Sequence, residues 1–388
     1  MNSSPSHPKE KEKTILFIDN ITSGDIILNN PKKINALSEE MIEEMSKIVL
    51  GFTPSTAINY GSFVPADVVP YSYNHTPKIL FFQGSGGNFC SGGNVVEVYK
   101  GILSNNKEAI KKGYQSILTL NQLLIFMSPI QASLWSGFVM GGGVGISINS
   151  PIRIADETTV FAMPECQIGL FPDVGGAYFL THLFNNNPQI GLYVGLTGYR
   201  VKGIEAVHTG IATHYIEKEK TAAAKEALEN LCKTKENVTV DDVKNELRKY
   251  GQEHQRENFK FPNEDIINSV FRIDSIYNIF KRLEALKETG NEKEKKFADV
   301  TLKILNAASP ISLLIFTEMC KRASELKDIK ECYLRDYASS DLVMLNGDFR
   351  EGIRAILIDK DKKFNWKYQT INDIKNPEEI IKEFCPWA

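Results

Sequence analysis

The first part of the chain alternates short apolar runs with a segment of helical period. The runs ILFID and DIILN, within residues 14–28, predict two strands that form a hairpin around a turn at Ser23 and Gly24. Ser38 precedes EEMIEEMSKIVL, in which apolar residues recur at helical spacing, so a helix is expected there. Residues 51–77 are rich in Pro, Ser, Tyr and Asn and indicate an inserted surface segment.

Strand and helix patterns then alternate through residues 78–155. KILFFQG predicts a buried strand that ends in a Gly-rich turn. After it come a helix (Lys107 to Phe126), a strand (Ile130 to Ser136), a second Gly-rich turn with a short helix, and a strand (Ile152 to Ala155). This order of elements indicates parallel strands and an α/β core.

The two ends of the chain differ from this core. Lys/Glu-rich helical runs such as TAAAKEALENLCK begin at about Glu217 and carry no strand signal. They predict a helical region, residues 217–388, packed on a core of residues 14–216 that holds the functional site. Residues 1–13, MNSSPSHPKEKEK, predict a disordered leader without the apolar core of a signal peptide or the arginines of a typical transit peptide.

Charged residues are missing from the middle of the predicted core. Residues 113–152 contain no Asp, Glu, Lys or Arg, where the chain average of 24% would place about ten. A membrane span needs about 20 consecutive apolar residues, and Pro129, Gln131 and the triplet at 141–143 interrupt the run. We therefore interpret the stretch as buried core and expect no membrane span.

Composition narrows the classes of function. The 388 residues are 42% hydrophobic with a net charge of -3, which excludes a disordered acidic chain and a basic nucleic-acid binder. Six cysteines without a CxxC pair favour reduced thiols in an intracellular compartment over a disulfide framework. The sequence has no GxSxG elbow, no HExxH and no Cys/His set with zinc spacing, so no motif supports serine-hydrolase or metal chemistry.

Two isolated carboxylates stand in the segment FAMPECQIGLFPDVGG. Glu165 and Asp173 each follow a proline and lie among apolar residues. A carboxylate in such surroundings loses solvation, and one with a raised pKa is suited to act as a base, an acid or a nucleophile. The alternative is that both side chains cap helices at these turns and only accept backbone hydrogen bonds.

Two glycine clusters complete a candidate site. GSGGNFCSGGN follows the strand KILFFQ, and MGGGVG follows IQASLWSGF, so both loops leave neighbouring strands at the same end of a parallel sheet. Glycines expose backbone N–H groups, and a helix expected after MGGGVG adds its positive end, so two such donors suit an oxyanion. Close helix–strand packing is the alternative, since neither cluster matches GxGxxG or a phosphate loop.

These motifs resemble those of the enoyl-CoA hydratase/isomerase, or crotonase, superfamily. The resemblance rests on NNPKKINALS, GGNFCSGGN, MGGGVGISI, FAMPECQIGLFPDVGGAYFL and LTGYRVKG, and it runs from about Ile15 to NGDFREGIRAILIDKD. It implies an α/β fold, a crotonase-like spiral of ββα repeats followed by a helical C-terminal region. Within the superfamily the chain is most similar to the group that hydrolyses 3-hydroxyisobutyryl-CoA, a thioester of valine catabolism.

The resemblance assigns roles to the candidate residues. Gly93 and Gly142 match the two N–H donors that hold the thioester oxygen. Hydratases carry one catalytic Glu after the Gly-rich turn and a second one 20 residues later, and here these positions are Gly145 and Glu165. In the hydrolase group the first Glu is likewise replaced, and an Asp appears in PDVGG, as Asp173 does here. Glu165 is therefore expected to attack the thioester carbonyl or to activate a water, and Asp173 to orient the acyl hydroxyl or the water.

Four further positions match the CoA site of the superfamily: Lys32, Ile34, Ser91 and Asn94. The resemblance implies that Lys32 meets a phosphate and that backbone carbonyls around Ile34 and Ser91 meet the adenine. The alternative for Lys32 is plain exposure, which is ordinary for a lysine in a Pro-containing turn.

Some positions depart from the family pattern. Asn94 stands where the family has Asp, and the Glu that family members place near the acyl group has no acidic counterpart, the nearest position being about Ile117. Asp336-Tyr337-Ala338 stands where Glu-x-Arg is usual, and segment 51–77 is longer than usual. These departures leave the acyl specificity open.

The resemblance implies an intracellular acyl-CoA thioester hydrolase that needs no metal and no redox cofactor. Its expected partner is the acyl-CoA substrate, not nucleic acid; a homo-oligomer is compatible with the pattern, and family members are commonly mitochondrial. Two alternatives stay open. One is a catalytically reduced relative that acts as an interaction or assembly subunit, and the other is an enoyl-CoA hydratase/isomerase, against which Gly145 argues.

Overall fold

The structure is a computed structural model that describes residues 12–58, 68–253 and 259–388. Nearly all of the predicted leader and the centre of the inserted segment therefore lie outside the described residues. The strands are β1 (Ile15–Asp19), β2 (Ser23–Leu28), β3 (Ile79–Gly84), β4 (Ile130–Trp135), β5 (Phe138–Met140), β6 (Ile152–Ala155), β7 (Val160–Ala162), β8 (Val201–Lys202), β9 (His214–Tyr215) and β10 (Gln252–Glu253).

Two sheets are formed by these strands. The larger has the order β1-β2-β3-β4-β6-β9-β10, and the smaller has the order β5-β7-β8. The pairs from β2 through β9 in the larger sheet are parallel, whereas the two edge pairs, β1 with β2 and β9 with β10, are antiparallel. The predicted parallel α/β core is therefore confirmed.

Helices follow the strands and dominate the second half of the chain. They are α1 (Glu39–Gly51), α2 (Ser55–Ile58), α3 (Val95–Leu103), α4 (Lys107–Phe126), α5 (Gly142–Gly145), α6 (Gly176–His182), α7 (Pro188–Thr197), α8 (Ile204–His208), α9 (Lys218–Thr234), α10 (Val240–Leu247), α11 (Glu264–Val270), α12 (Ile276–Thr289), α13 (Glu292–Ala307), α14 (Pro310–Ala323), α15 (Ile329–Asn346), α16 (Phe349–Ile353) and α17 (Pro377–Phe384). The order β1-β2-α1, β4-β5-α5 and β6-β7-α6 repeats a ββα unit, and in the last two units the first strand enters the large sheet and the second enters the small one.

Local signals in the sequence account for several of these boundaries. The Ser38 hydroxyl accepts a hydrogen bond from the N–H of Met41, which fixes the start of α1 as predicted. The predicted hairpin forms, but its turn lies at residues 20–22, where Ile21 has φ +68°, and not at Ser23 and Gly24, which are already paired in β2. The pairing of β1 with β2 therefore extends closer to the turn than predicted, as far as the pair of Asp19 with Gly24.

Other boundaries need small corrections. The strand expected from Ile130 to Ser136 ends at Trp135, and the helix expected after MGGGVG begins inside it, at Gly142. The described part of the helical region contains a strand that the sequence did not signal, β10, which pairs with β9 across the predicted boundary at residue 216. A two-residue edge strand is too short to carry a periodic pattern.

The charge-free stretch is interior, as interpreted. Residues 117–124, 131–135 and 143–148 are all buried, and they come from α4, from β4, and from α5 with the residues that follow it. None of the single helices in the described ranges is long and apolar enough to span a membrane, although α13 and α14, bent by 109°, pass that test as a pair by length and composition.

Candidate active site

Two glycine loops lie side by side because an isolated β-bridge joins them. Cys90 pairs with Val139: its N–H donates to the carbonyl of Phe138, and its carbonyl accepts from the N–H of Met140. The loop after β3 thus runs parallel to β5 and ends beside the glycine triplet at 141–143. This confirms that the two predicted Gly-rich turns meet at one end of the sheet.

The two glycines whose N–H groups are expected to bind an oxyanion lie side by side. A Cβ atom built on Gly142 would lie 3.3 Å from the backbone nitrogen of Gly93, so the two glycines are nearly in contact. Gly142 is the first residue of α5, where helix geometry gives the N–H no partner within the helix. Leu37 hydrogen-bonds the residues on either side of Gly93, which directs the N–H of Gly93 away from that bridge. Both donors are therefore available to a ligand oxygen.

The side chain of Glu165 lies against Gly141, in the second glycine loop. It opens a short 3₁₀ turn, Glu165–Ile168, that follows β7 and Pro164, and its side chain is 6% exposed. A Cβ atom on Gly141 would lie 2.8 Å from Oε1 of Glu165, and Gly141 has φ +48°, so only glycine fits there. The carboxyl therefore stands next to the pair of N–H donors.

The environment of Glu165 disfavours its charged form. Burial, and then the nearby charge of Asp173, raise the pKa of Glu165 well above its usual range. Oε2 of Glu165 is buried and has no hydrogen-bond partner among the described residues. A buried carboxyl with an unpartnered oxygen next to two free N–H donors is suited to proton transfer or nucleophilic attack, and not to a purely structural role.

Asp173 forms the second half of a carboxyl pair. It is buried, and burial raises its pKa to about 6, while the neighbouring hydroxyl of Tyr114 acts in the opposite direction. Neither acid caps a helix: Pro164 and Gly175 occupy the N-cap positions of the adjacent turn and helix, and no side-chain cap bond is made at either. The helix-capping part of that alternative is therefore wrong, although each carboxyl does accept a hydrogen bond from its own backbone N–H.

The loop that carries Asp173 is held in an unusual conformation. Val174 has φ +50°, which is strained for a β-branched residue. A Cβ atom on Gly145 would lie 2.7 Å from Cβ of Val174 and 2.9 Å from Nδ2 of Asn121. Because Gly145 has no side chain, Val174 can occupy the space beside it. A Glu at position 145, where hydratases are expected to carry one, is therefore sterically excluded.

A residue of the helical region holds the same loop. Oδ2 of Asp336, in α15, accepts a 2.7 Å hydrogen bond from the N–H of Gly175, and Oδ1 of Asp336 is buried without a partner in the described structure. Burial, and to a smaller degree the charge of Asp173, raise the pKa of Asp336 well above its usual range. Sequence reasoning noted Asp336 only as a departure from Glu-x-Arg and did not place it near the site.

Tyr114 is the second residue that sequence reasoning missed. It lies in α4, one turn before Ile117, and both side chains are buried. Ile117 therefore supplies no polar group, as the departure from the family pattern implied, whereas the Tyr114 hydroxyl lies beside Asp173. The only sequence signal for Tyr114 was its place at the edge of the charge-free stretch.

The four CoA candidates are brought together at the outer edge of the glycine loops. The Ile34 carbonyl accepts from the N–H of Ser91, and the Ser91 hydroxyl approaches the carbonyl of Lys33 at 3.4 Å. Asn94 donates its backbone N–H to Leu37 and its side-chain amide to Glu97, and Lys32 is exposed on the 3₁₀ turn Pro31–Lys33. Lys32, Ile34, Ser91 and Asn94 therefore form one surface next to Gly93. Their contact with CoA stays a prediction.

Other chemistries gain no support at this site. In the described part of the chain, no group of three or more His, Cys, Asp or Glu residues is arranged to hold a metal ion. All six cysteines are free and buried, and burial raises the pKa of the Cys90 thiol to about 12, so it stays protonated beside the glycine loops. A surface cavity of about 380 Å³ between Phe184 and Glu264 is lined by neither of the two carboxylates.

Comparisons with known proteins agree with this geometry. The family model described as enoyl-CoA hydratase/isomerase matches residues 69–384. The mitochondrial 3-hydroxyisobutyryl-CoA hydrolase of Xenopus laevis is 34% identical over 355 residues, which cover 91% of this chain and 84% of that protein. The human protein of the same name is 33% identical over 378 residues, which cover 95% and 87%.

The chain belongs to the enoyl-CoA hydratase/isomerase family.

Solved structures confirm the expected crotonase-like fold. An enoyl-CoA hydratase from Rhodobacter sphaeroides 2.4.1 superposes with a TM-score of 0.77 at 25% identity, covering 96% of this chain and 97% of that one. A carnitinyl-CoA dehydratase from Mycobacterium thermoresistibile gives 0.76 at 25% identity, covering 97% of each chain. The enoyl-CoA hydratase/isomerase family thus contains several activities on this fold, and the side chains around the glycine loops have to distinguish among them.

Proposed function

We propose that this chain hydrolyses a short-chain acyl-CoA thioester, 3-hydroxyisobutyryl-CoA, to 3-hydroxyisobutyrate and CoA. The observation that carries the proposal is the placement of Glu165 against Gly141, beside the N–H groups of Gly93 and Gly142, with position 145 sterically closed. A hydratase of the two-glutamate type needs a second carboxylate at that position, whereas hydrolysis needs one carboxylate and an oxyanion site. Curated relatives named 3-hydroxyisobutyryl-CoA hydrolase support the choice of substrate.

The proposed reaction begins with the thioester oxygen between the N–H groups of Gly93 and Gly142. These donors stabilise the negative charge that develops on that oxygen when the carbonyl carbon is attacked. The attacking oxygen belongs either to ionised Glu165 or to a water that gives its proton to Glu165. Collapse of the tetrahedral intermediate breaks the C–S bond, and the CoA thiolate leaves and takes up a proton.

The two routes differ in the attacking oxygen and therefore in the product that is left when the C–S bond breaks. If Glu165 is the nucleophile, a mixed anhydride remains, and a water then attacks it to release the hydroxy acid and restore Glu165. If Glu165 is the base, the hydroxy acid forms directly. In both routes we propose that Asp173 orients the acyl hydroxyl or the attacking water; its support is that Asp173 is buried and near enough for its charge to raise the pKa of Glu165.

The CoA moiety is proposed to lie over the surface formed by Lys32, Ile34, Ser91 and Asn94. This surface continues directly from Gly93, so a thioester held at Gly93 and Gly142 would leave CoA on that side. We also propose that no metal or redox cofactor takes part, because thioester hydrolysis changes no oxidation state and the carboxyl pair and N–H groups supply what it needs. Activity is then expected to survive dialysis against EDTA.

A thiol-release assay over a panel of acyl-CoA thioesters tests the function. Wild-type protein is expected to release CoA from 3-hydroxyisobutyryl-CoA, and Glu165→Ala to lose at least about a hundredfold of that activity. Glu157→Gln, an exposed neighbour in sequence, is the matched control and should retain full activity. Absence of thiol release from the whole panel, or rapid hydration of crotonyl-CoA by the wild type, would refute the proposal.

We further propose a mitochondrial location, because curated relatives are named mitochondrial. Cell fractionation of the full chain tests this directly, and enrichment with a cytosolic marker instead would refute it. A homo-oligomer stays a prediction that light scattering on the purified protein can check.

A further inference from the structure

Tyr114 presents a buried hydroxyl that lies beside Asp173 and Ser340 but forms no hydrogen bond of ordinary length and angle with them. The residue is 8% exposed, and its hydroxyl oxygen has no hydrogen-bond partner within the described residues. A buried hydroxyl without a partner costs free energy, on the order of 1–3 kcal/mol. An unsatisfied buried group calls for an explanation, and a ligand that bonds to it is one such explanation.

The surroundings of Tyr114 show what kind of ligand group fits. Its hydroxyl lies close to the carboxyl of Asp173 and near Asp336 and Ser340, all of which are buried. The Ser340 hydroxyl already donates to the carbonyl of Asp336, and Oδ2 of Asp336 already accepts from Gly175. Oδ1 of Asp336 is still without a partner in the described structure, but Asp173 is the carboxyl whose charge also reaches Glu165. Asp173 is therefore the one that a ligand held at Glu165 can share with Tyr114.

Tyr114 and Asp173 differ in protonation state at neutral pH. Burial and the two nearby carboxyls raise the pKa of Tyr114 well above its usual range, so the phenol remains a donor at neutral pH. Asp173, with a pKa of about 6, is mainly an ionised acceptor at the same pH. A donor and an acceptor side by side suit a group that both accepts and donates a hydrogen bond, which an alcohol does and an alkyl chain does not.

We propose that Tyr114 and Asp173 together bind the hydroxyl of a hydroxyacyl-CoA substrate, with Tyr114 donating to its oxygen and Asp173 accepting its proton in a hydrogen bond. The proposal rests on the proposed function, since it requires the acyl group to lie between Glu165 and Asp173. It deepens that function by naming the residues that select hydroxyacyl over unsubstituted acyl thioesters. Tyr114 takes no part in bond cleavage and acts only through binding.

The test compares two substrates that differ by one hydroxyl, 3-hydroxyisobutyryl-CoA and isobutyryl-CoA. Tyr114→Phe removes the phenol oxygen and keeps the ring, so kcat/KM for the hydroxyacyl substrate is expected to fall at least about tenfold. For isobutyryl-CoA, kcat/KM should change by less than about threefold, because that substrate has no hydroxyl to accept a hydrogen bond from Tyr114. Tyr193→Phe is the control, because Tyr193 in α7 is also buried and its ring packs against Phe271 and Phe297.

Binding to a catalytically impaired background separates this proposal from the proposed function. In Glu165→Gln, calorimetry is expected to show tighter binding of 3-hydroxyisobutyryl-CoA than of isobutyryl-CoA, and adding Tyr114→Phe should abolish that preference. A wild type without hydrolase activity but with this Tyr114-dependent preference would refute the function and keep the hydroxyl site. Equal losses on both thioesters, or an unchanged preference after Tyr114→Phe, would assign Tyr114 a structural role and overturn the inference.

Discussion

The N–H of Gly175 donates a 2.7 Å hydrogen bond to Oδ2 of Asp336, across 161 residues of sequence. Gly175 follows Asp173 by two residues, so the bond fixes the loop that carries one of the two candidate catalytic carboxyls. Asp336 belongs to α15, within the region predicted as a helical addition to the core. The helical region therefore positions the active site as well as packing on the core.

Asp336→Asn is expected to stabilise the fold at high pH. The folded-state pKa of Asp336 is raised above its unfolded value, so its contribution to stability is fully present below the unfolded pKa and is lost as pH rises through the folded pKa. Asparagine keeps an acceptor for Gly175 and has no charge to bury. The melting temperature of Asp336→Asn relative to wild type should therefore rise as the pH increases above the ordinary Asp pKa of 3.8.

Asp336→Ala provides the contrast to that variant. Alanine removes the acceptor of the Gly175 N–H, so the loop loses a buried hydrogen bond and kcat for thioester hydrolysis should fall. A melting-temperature difference for Asp336→Asn that does not change with pH would show that Asp336 carries no raised pKa. Full activity in Asp336→Ala would show that the bond does not position Asp173.

Asp173→Asn should move the acid limb of the activity profile to lower pH. Glu165 has to be ionised to attack or to accept a proton, and the charge of Asp173 helps to raise its pKa. Removing that charge lowers the pKa of Glu165, so the pH at which kcat/KM reaches half its plateau should fall. The plateau itself should also fall, because the orienting carboxylate is gone. The pH dependence of kcat/KM for both proteins measures the shift, and an upward shift would contradict the assigned coupling.

The sequence predicted the elements whose signals are local. The Ser38 cap and the apolar period marked α1, and the run from Lys107 to Phe126 matched α4 at both ends. Gly93, Gly142, Glu165 and Asp173 do meet at one place, because the glycine loops follow neighbouring strands and the two acids follow β7. In these cases the information lies within a few residues of the element it specifies.

Contacts between distant segments could not be predicted in the same way. The bond of Asp336 to Gly175 depends on how α15 packs against α4 and the loop after β7, and no local pattern encodes that packing. Tyr114 carries no local signal of a role in the site, because that role depends on the acids that the fold places near it. The turn of the first hairpin was misplaced because Gly24 signals a turn, although in the sheet it pairs within β2.

Gly142→Ala is expected to reduce the rate of hydrolysis without unfolding the protein. The new Cβ atom would lie 3.3 Å from both the Gly93 nitrogen and Cδ1 of Leu37, which is tight contact in the space where the thioester oxygen should sit. Misplacing one oxyanion donor costs about 10²-fold or more in kcat, so a loss of about that size is expected. Gly113→Ala, in α4, is the control because its Cβ would meet nothing within 4 Å. A variant with normal kcat would show that Gly142 does not border the oxyanion site.

Gly145→Ala tests whether the closed position at 145 controls the placement of Asp173. The added Cβ would lie 2.7 Å from Cβ of Val174 and would force that strained residue to move, at a cost of about 1–3 kcal/mol in unfolding free energy. Because Val174 follows Asp173 directly, hydrolysis of 3-hydroxyisobutyryl-CoA should fall as well. Gly145→Glu should lose hydrolysis in the same way and gain no hydration of crotonyl-CoA, since its side chain would have no space to enter.

A second substitution identifies the cause of that loss. Val174→Gly removes the atom that the new Cβ would strike and accepts φ +50° without strain. Combined with Gly145→Ala, it should restore part of the melting temperature that Gly145→Ala alone loses, as measured by calorimetry. Strictly additive effects of the two substitutions would show that they do not act through this contact, and measurable hydratase activity in Gly145→Glu would show that position 145 can still admit a catalytic carboxylate.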